Sequence, residues 1–158
     1  MESMIFKKQS FYFSELTKDR IVVSIRLACM FLFLYTAYAK VIDHDRFLKG
    51  LSNVHLVSGF AFYIAWLVPI TETLTFILLL IPQSAKLGLY LFVLLMILFT
   101  IYIISALIWE KDLPCLCGGA IEKLTWIQHI WFNLAFILLA IFAIRLLGSK
   151  YIIKKQIK

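Results

Sequence analysis

Residues 86–109, KLGLYLFVLLMILFTIYIISALIW, decide the fold of this chain. The only charged side chain in this stretch is the lysine that opens it. A transmembrane helix needs about 20 mostly apolar residues, and this run is longer than that. Lipid offers no hydrogen-bond partner to open backbone groups, so a helix is the only sensible state of the stretch. It predicts a membrane-spanning helix.

Three further apolar runs flank this one, at residues 21–42, 59–81 and 125–147. Hydrophobic residues make up 63% of the chain, whereas soluble domains carry about 45–50% apolar residues. The alternating strands of a β-barrel would not produce such long unbroken runs. The sequence therefore predicts an all-α membrane protein, a four-transmembrane-helix bundle that forms one domain over residues 21–147.

The segments outside the bundle are short. We expect residues 1–20 to form a cytoplasmic N-terminal segment, with a helix on the membrane surface over residues 9–18, and residues 148–158 to form a basic cytoplasmic tail. The charged interruptions before the first long run do not fit a cleavable signal peptide. We therefore expect the first span to remain in the mature protein.

The connections carry local signals. The sequence from Asp43 to Arg46 ends the first span, and residues 82–84 predict a tight turn between spans two and three. Pro69 lies inside the second span, where it is expected to kink the helix or open its hydrogen-bond ladder. Thr125 and Gln128 have the spacing of a capping box at the start of the fourth span.

The distribution of Lys and Arg predicts the orientation. Counted with the N-terminus inside, the inner side holds more basic residues (Lys7, Lys8, Lys18, Arg20, Lys86, Lys150, Lys154, Lys155, Lys158) than the outer loops (Arg46, Lys49, Lys111, Lys123). This asymmetry places both termini in the cytoplasm and the protein in the cell's inner membrane. The net charge of +7 lies largely at these flanks, so it favours contact with membrane lipid and no binding of nucleic acid.

The third connection contains Pro114-Cys115-Leu116-Cys117-Gly118-Gly119. Two thiols one residue apart can form a strained, reactive disulfide, hold a soft metal such as Cu(I) or Hg(II), or be incidental loop residues. The predicted orientation displays Cys115 and Cys117 on the oxidising side of the membrane, which favours thiol–disulfide exchange. The loop supplies no further ligands at the spacing of a zinc site, and we assign no metal ligands.

Neighbouring groups bear on the reactivity of this pair. The start of a helix downstream and the nearby Lys111 and Lys123 favour the thiolate, whereas nearby acidic residues oppose it. His129 and Asn133 share one face of the fourth span. His129 is a candidate base for the thiols or a ligand for a ring-shaped cofactor. The alternative, which we favour, is an interfacial histidine bonded to a neighbouring helix.

Four polar or reactive residues lie inside the first two spans. Arg26 lies about 9 Å and Glu72 about 14 Å from the inner surface at 1.5 Å per residue. Because charges in lipid are usually paired, we predict an Arg26–Glu72 ion pair. The alternative is that Arg26 extends to the surface while Glu72 is protonated. Lys40 is expected to reach the outer surface with its ammonium group, and Cys29 to pack as a small apolar residue.

Arg26, Lys40, Pro69 with Glu72, and Cys115-Leu116-Cys117-Gly118 together form a pattern that resembles the MauE/DoxX-like family over residues 20–147. The resemblance implies a redox-associated integral membrane protein. The family's methylamine-utilisation member is implicated in maturing a disulfide-rich enzyme subunit. A four-helix arrangement with an outward thiol pair also looks like vitamin K epoxide reductase-type enzymes, although those use Cys-x-x-Cys. This second resemblance makes a quinone a candidate cofactor.

The function expected from these observations is thiol–disulfide exchange between Cys115–Cys117 and an extracytoplasmic thiol or disulfide protein, such as a thioredoxin-like one. His129, Asn133 and Lys123 are candidate supporting residues. Two alternatives remain open. One is a protein that binds or transports a soft metal, and the other is a membrane assembly factor without chemistry of its own.

Overall fold

The computed structural model describes residues 15–55, 57–109 and 125–156. These residues form helices and turns, with no strand among them. The five α-helices in chain order are α1 (Glu15–Ile42), α2 (His44–Ser52), α3 (Ala61–Leu80), α4 (Ala85–Trp109) and α5 (Trp126–Gln156). A short 3₁₀ turn at Ser58–Phe60 leads into α3. Four of the helices, all but α2, are long and apolar enough to cross a membrane, which confirms the predicted fold class.

The four long helices form a closed ring. Helix α1 packs against α3 and α5, and α4 packs against the same two helices from the opposite side. The centre of the main core contains Phe33 and Phe92, whose ring centroids are 4.4 Å apart. Cys29 is fully buried in this core, in agreement with the expected role as a small apolar residue. The outward surface is also apolar, with Phe31, Tyr63 and Trp131 each more than two-thirds exposed, as lipid-facing helices require.

The short helix α2 was not predicted. The first span ends where the sequence indicated, at Ile42, but the chain then forms a helix of 9 residues before it reaches α3. Leu51 of α2 is buried in a small second core with Ala61 and Ala65 at the start of α3. A helix of about two turns is marginal by itself, so this contact with α3 stabilises it.

The connection between α3 and α4 is tight, as predicted. Helix α3 ends at Leu80 and α4 begins at Ala85. Gly88 then allows the two backbones to approach closely, because a Cβ atom at that position would lie 2.9 Å from the backbone nitrogen of Leu79. We call this the turn end of the bundle. The opposite end, which carries α2, is the α2 end.

The start of α5 has the predicted capping box. The backbone N–H of Thr125 donates to Gln128 Oε1 over 2.8 Å, and the backbone N–H of Gln128 donates to Thr125 Oγ1 over 3.3 Å. Two predicted boundaries differ. Helix α5 continues to Gln156, beyond the expected end at residue 147, and α1 already begins at Glu15. Residues 15–18 of the expected surface helix therefore belong to α1, and residues 9–14 lie outside the described residues.

Pro69 lies within α3, which continues through it without interruption. Because proline has no N–H group, the carbonyl group of Ala65 loses its usual helical donor. Ala65 is fully buried beneath α2, in the half of α3 nearest the α2 end. The predicted opening of the hydrogen-bond ladder is therefore confined to one bond within an otherwise regular helix.

Candidate functional site

The predicted thiol loop joins α4 to α5. Cys115, Cys117 and Lys123 lie outside the described residues, so their geometry stays a prediction. The positions at which the chain leaves and rejoins the bundle are described. Helix α4 ends at Trp109 and α5 begins at Trp126, both at the α2 end because neighbouring helices in the ring are antiparallel.

A buried ion pair links α1 and α3. Lys40 Nζ donates to Glu72 Oε1 over 2.7 Å, and the two side chains are 9% and 1% exposed. Thr36, one turn before Lys40, places its hydroxyl 3.1 Å from the same carboxylate oxygen. The expectation that Lys40 reaches the outer surface is wrong, because its ammonium group is held inside the bundle by Glu72.

The predicted Arg26–Glu72 ion pair is also wrong. Arg26 donates instead to the backbone carbonyl of Leu79, with its Nε at 3.2 Å and one terminal nitrogen at 2.5 Å. Leu79 lies near the end of α3, seven residues beyond Glu72, which corresponds to about 10 Å along the helix. The depth estimate failed because helix ends do not fix the register between helices: α1 begins at Glu15, before the predicted start of the span, yet Arg26 lies level with Leu79.

A cavity of about 590 Å³ lies between the four long helices and α2. Its position follows from its lining. Ile64 is near the start of α3, Tyr102 is near the end of α4, and Lys40 is near the end of α1. The cavity therefore lies mainly towards the α2 end, beneath the helix ends that the thiol loop connects, and it reaches Leu91 in the first half of α4. Most of its wall is apolar, and its polar lining residues are Thr36, Lys40, Thr71, Glu72, Tyr102, His129 and Asn133.

His129 and Asn133 line this cavity from α5. They share one face of the helix, as predicted, and are only 3% and 6% exposed. Asn133 Nδ2 donates to Thr100 Oγ1 of α4 over 3.2 Å. His129 Nδ1 lies 3.3 Å from the carbonyl oxygen of Thr125 in its own helix. The favoured expectation of a histidine bonded to a neighbouring helix is therefore not met among the residues that the structure describes.

Two polar atoms of this site have no hydrogen-bond partner within the described part of the chain. They are Glu72 Oε2 and His129 Nε2, and both are buried. An unpaired buried polar atom costs about 1–3 kcal/mol. Because Glu72 and His129 both line the cavity, a bound molecule could reach them.

The family comparison agrees with this architecture. The family model described as "Methylamine utilisation protein MauE" matches residues 18–146, which is most of the chain. The chain belongs to this family. Neither a curated protein nor a solved structure gives a significant match. Family membership and four apolar helices together identify a multi-pass membrane protein.

In this MauE-family chain, the matched region contains both the cavity residues and the predicted thiol loop. Within residues 15–55, 57–109 and 125–156, no group of three or more His, Cys, Asp or Glu side chains could hold a metal ion. This result does not test soft-metal binding by Cys115 and Cys117, because those residues lie outside these ranges.

Sequence reasoning missed the contribution of Thr36 and the true partner of Glu72. One signal was present. Thr36 and Lys40 are four residues apart, so they lie on one face of α1, and a paired acid on a neighbouring helix would satisfy both. The register of α1 against α3 was needed to identify that acid as Glu72, and the sequence does not supply this register.

Proposed function

We propose that this MauE-family protein exchanges thiols and disulfides with an extracytoplasmic partner protein through Cys115 and Cys117. The observation that carries the proposal is the spacing of these two cysteines in the connection between two membrane-spanning helices. The third cysteine, Cys29, is fully buried in the core and cannot meet a partner protein. Membership of the family described as "Methylamine utilisation protein MauE" supports a role in maturing exported proteins.

The exchange conserves atoms and electrons. The thiolate of one cysteine attacks a disulfide of the partner, forms a mixed disulfide and releases a partner thiolate. The second cysteine of the pair then attacks the mixed disulfide, which leaves Cys115–Cys117 oxidised and the partner with two thiols. The reverse sequence oxidises the partner. A disulfide between Cys115 and Cys117 would close a short, strained ring, which would favour its reduction and make the pair an oxidant.

The proposed orientation has both termini in the cytoplasm of a cell with an inner membrane. It rests on the excess of Lys and Arg at the termini and at the turn end, where Lys86 lies. A thiol loop on the opposite side faces an environment in which disulfides persist. An extracytoplasmic thioredoxin-like protein is the kind of partner that this loop would meet.

The proposal is tested by trapping the exchange intermediate. Membranes are quenched with acid and alkylated, and the redox states of Cys115 and Cys117 are read by mass spectrometry. Wild-type protein should show an oxidised fraction, and whichever of Cys115→Ser and Cys117→Ser removes the resolving cysteine should accumulate a mixed disulfide with a partner. Cys29→Ala is the matched control and should change neither result. Thiols that are always reduced, with no trapped partner in either variant, would refute the exchange.

The orientation is tested separately. In the Cys29→Ala background the remaining two cysteines are both in the loop. A membrane-impermeant maleimide should label them in intact cells after mild reduction. Labelling only after the cells are lysed would place the loop in the cytoplasm and remove the basis of the proposed mechanism.

A further inference from the structure

We propose that the cavity at the α2 end binds a membrane-soluble aromatic compound that carries hydroxyl groups, of the hydroquinone class. The proposal rests on three features of the cavity, namely two buried acceptor atoms without a partner among the described residues, an aromatic wall, and lining residues that are also exposed. It concerns binding only, so it does not depend on thiol exchange.

The two unpartnered atoms define what the ligand must donate. His129 Nδ1 lies against the carbonyl oxygen of Thr125, which can only accept, so this contact places the ring proton on Nδ1. In this tautomer Nε2 is an acceptor. Glu72 receives the Lys40 ammonium group at Oε1, and the unpartnered Oε2 is a second acceptor. A ligand that satisfies these atoms must supply O–H or N–H donors, and a neutral hydroxyl group is the donor that enters a membrane interior at least cost.

The remaining wall favours an aromatic ring. Phe99 and Phe47 line the cavity, and the Lys40 ammonium group lies 5.5 Å and 5.7 Å from their ring centroids. Tyr102 and Phe132 add two more aromatic side chains to the lining. Aromatic rings pack against one another in offset or edge-to-face arrangements worth about 0.5–1.5 kcal/mol beyond burial of area. The volume of about 590 Å³ is within the usual range of about 300–1,000 Å³ for small-molecule sites.

The route into the cavity runs from the bilayer. Leu67 of α3 and Leu94 and Leu98 of α4 line the cavity and are also half or more exposed on the outside of the bundle. Helices α3 and α4 are held closely together at the turn end by Gly88. This exposed lining is the proposed entry from lipid between α3 and α4, where the apolar tail of a ligand would remain.

The test compares two probes of nearly equal shape. One is a decyl-substituted hydroquinone, and the other is its dimethyl ether, which lacks both donors. Binding is measured by equilibrium partition, without oxygen, into nanodiscs that hold the full-length protein, with empty nanodiscs subtracted. The host protein carries Cys115→Ser and Cys117→Ser, so no thiol can react with the probe. The hydroquinone should bind saturably and at least tenfold more tightly than the ether.

Two variants locate the site. His129→Phe keeps an aromatic ring but removes an acceptor, and it should reduce the preference for the hydroquinone several-fold. Trp131→Phe, an exposed position on the same helix, is the matched control and should retain the preference. Val68→Trp fills the cavity from α3 and should abolish saturable binding of both probes, which keeps the test valid if His129→Phe does not fold.

Three results would overturn the proposal. These are equal affinity for the two probes, an unchanged preference in His129→Phe, and undiminished binding in Val68→Trp. None of them would affect the thiol-exchange proposal, because the host protein lacks both loop cysteines. Conversely, if the hydroquinone binds as expected, the binding proposal holds even when no mixed disulfide is trapped.

Discussion

The Lys40–Glu72 pair provides the sharpest test of the structure. We consider Lys40→Met and Glu72→Leu, which remove one charge each and keep approximately the same volume. In the wild-type protein the two charged groups are 2.7 Å apart and almost fully buried. Either single variant leaves the other charge in the bundle with no opposite charge to compensate it.

The expected magnitude follows from that geometry. At 2.7 Å and an effective dielectric constant of about 20, the attraction between two unit charges is about 6 kcal/mol. Desolvation offsets much of this, and removal of one partner from a buried pair typically costs about 3–5 kcal/mol. Replacement of both partners by apolar residues is often neutral. We therefore expect each single variant to lose about 3–5 kcal/mol of unfolding free energy, and the double variant to lie within about 1–2 kcal/mol of wild type.

The assay is equilibrium unfolding in mixed micelles with an increasing fraction of denaturing detergent, followed by tryptophan fluorescence. Asp43→Asn is the matched control. It removes the charge that pairs with Arg46 at 3.7 Å, where both side chains are more than half exposed. An exposed pair contributes about 1 kcal/mol or less, so this variant should be close to wild type.

Two outcomes would refute the reasoning. The first is a double variant that is less stable than either single one, which would mean that the two residues act independently. The second is rescue of Arg26→Glu by Glu72→Arg. That swap should fail, because Arg26 bonds to the carbonyl oxygen of Leu79 and not to Glu72.

Two other positions, Gly88 and Thr125, test the starts of α4 and α5, each with a control variant. Gly88→Ala should destabilise the protein by about 1–3 kcal/mol in the same unfolding assay, because the added Cβ meets the backbone of α3 at 2.9 Å. Gly148→Ala, with nothing within 4 Å, should be neutral or stabilising by up to about 1 kcal/mol, and equal effects would contradict the close packing. Thr125→Ala should cost about 0.5–2 kcal/mol and speed amide exchange at Gln128, whereas Thr125→Ser should preserve the cap.

The pairing of Glu72 with Lys40 instead of Arg26 changes where in the bundle a functional site is expected. If Glu72 had paired with Arg26, its carboxylate would have pointed towards the turn end. Its pairing with Lys40 brings it to the cavity that His129 and Asn133 also line. Lys40, Glu72, His129 and Asn133 of this MauE-family protein therefore line one cavity, which lies mainly towards the helix ends that the thiol loop connects.

The sequence by itself determined the fold class, the order of the four spans and the capping box at Thr125. These features are local, because the length of an apolar run and the spacing of two side chains are readable along the chain. It also identified His129 and Asn133 as neighbours on one face. The helix α2 was missed because its stability comes from contact between Leu51 and small residues of α3.

Only the tertiary structure decided which charge pairs with Glu72, and that polar residues of α1, α3, α4 and α5 line one cavity. The vertical register of one membrane helix against another depends on how side chains interlock across their interface. Helix length alone does not fix it, since α1 extends well beyond the predicted start of its span. A shift of about two turns along α3 separates the carbonyl group that binds Arg26 from the carboxylate that binds Lys40.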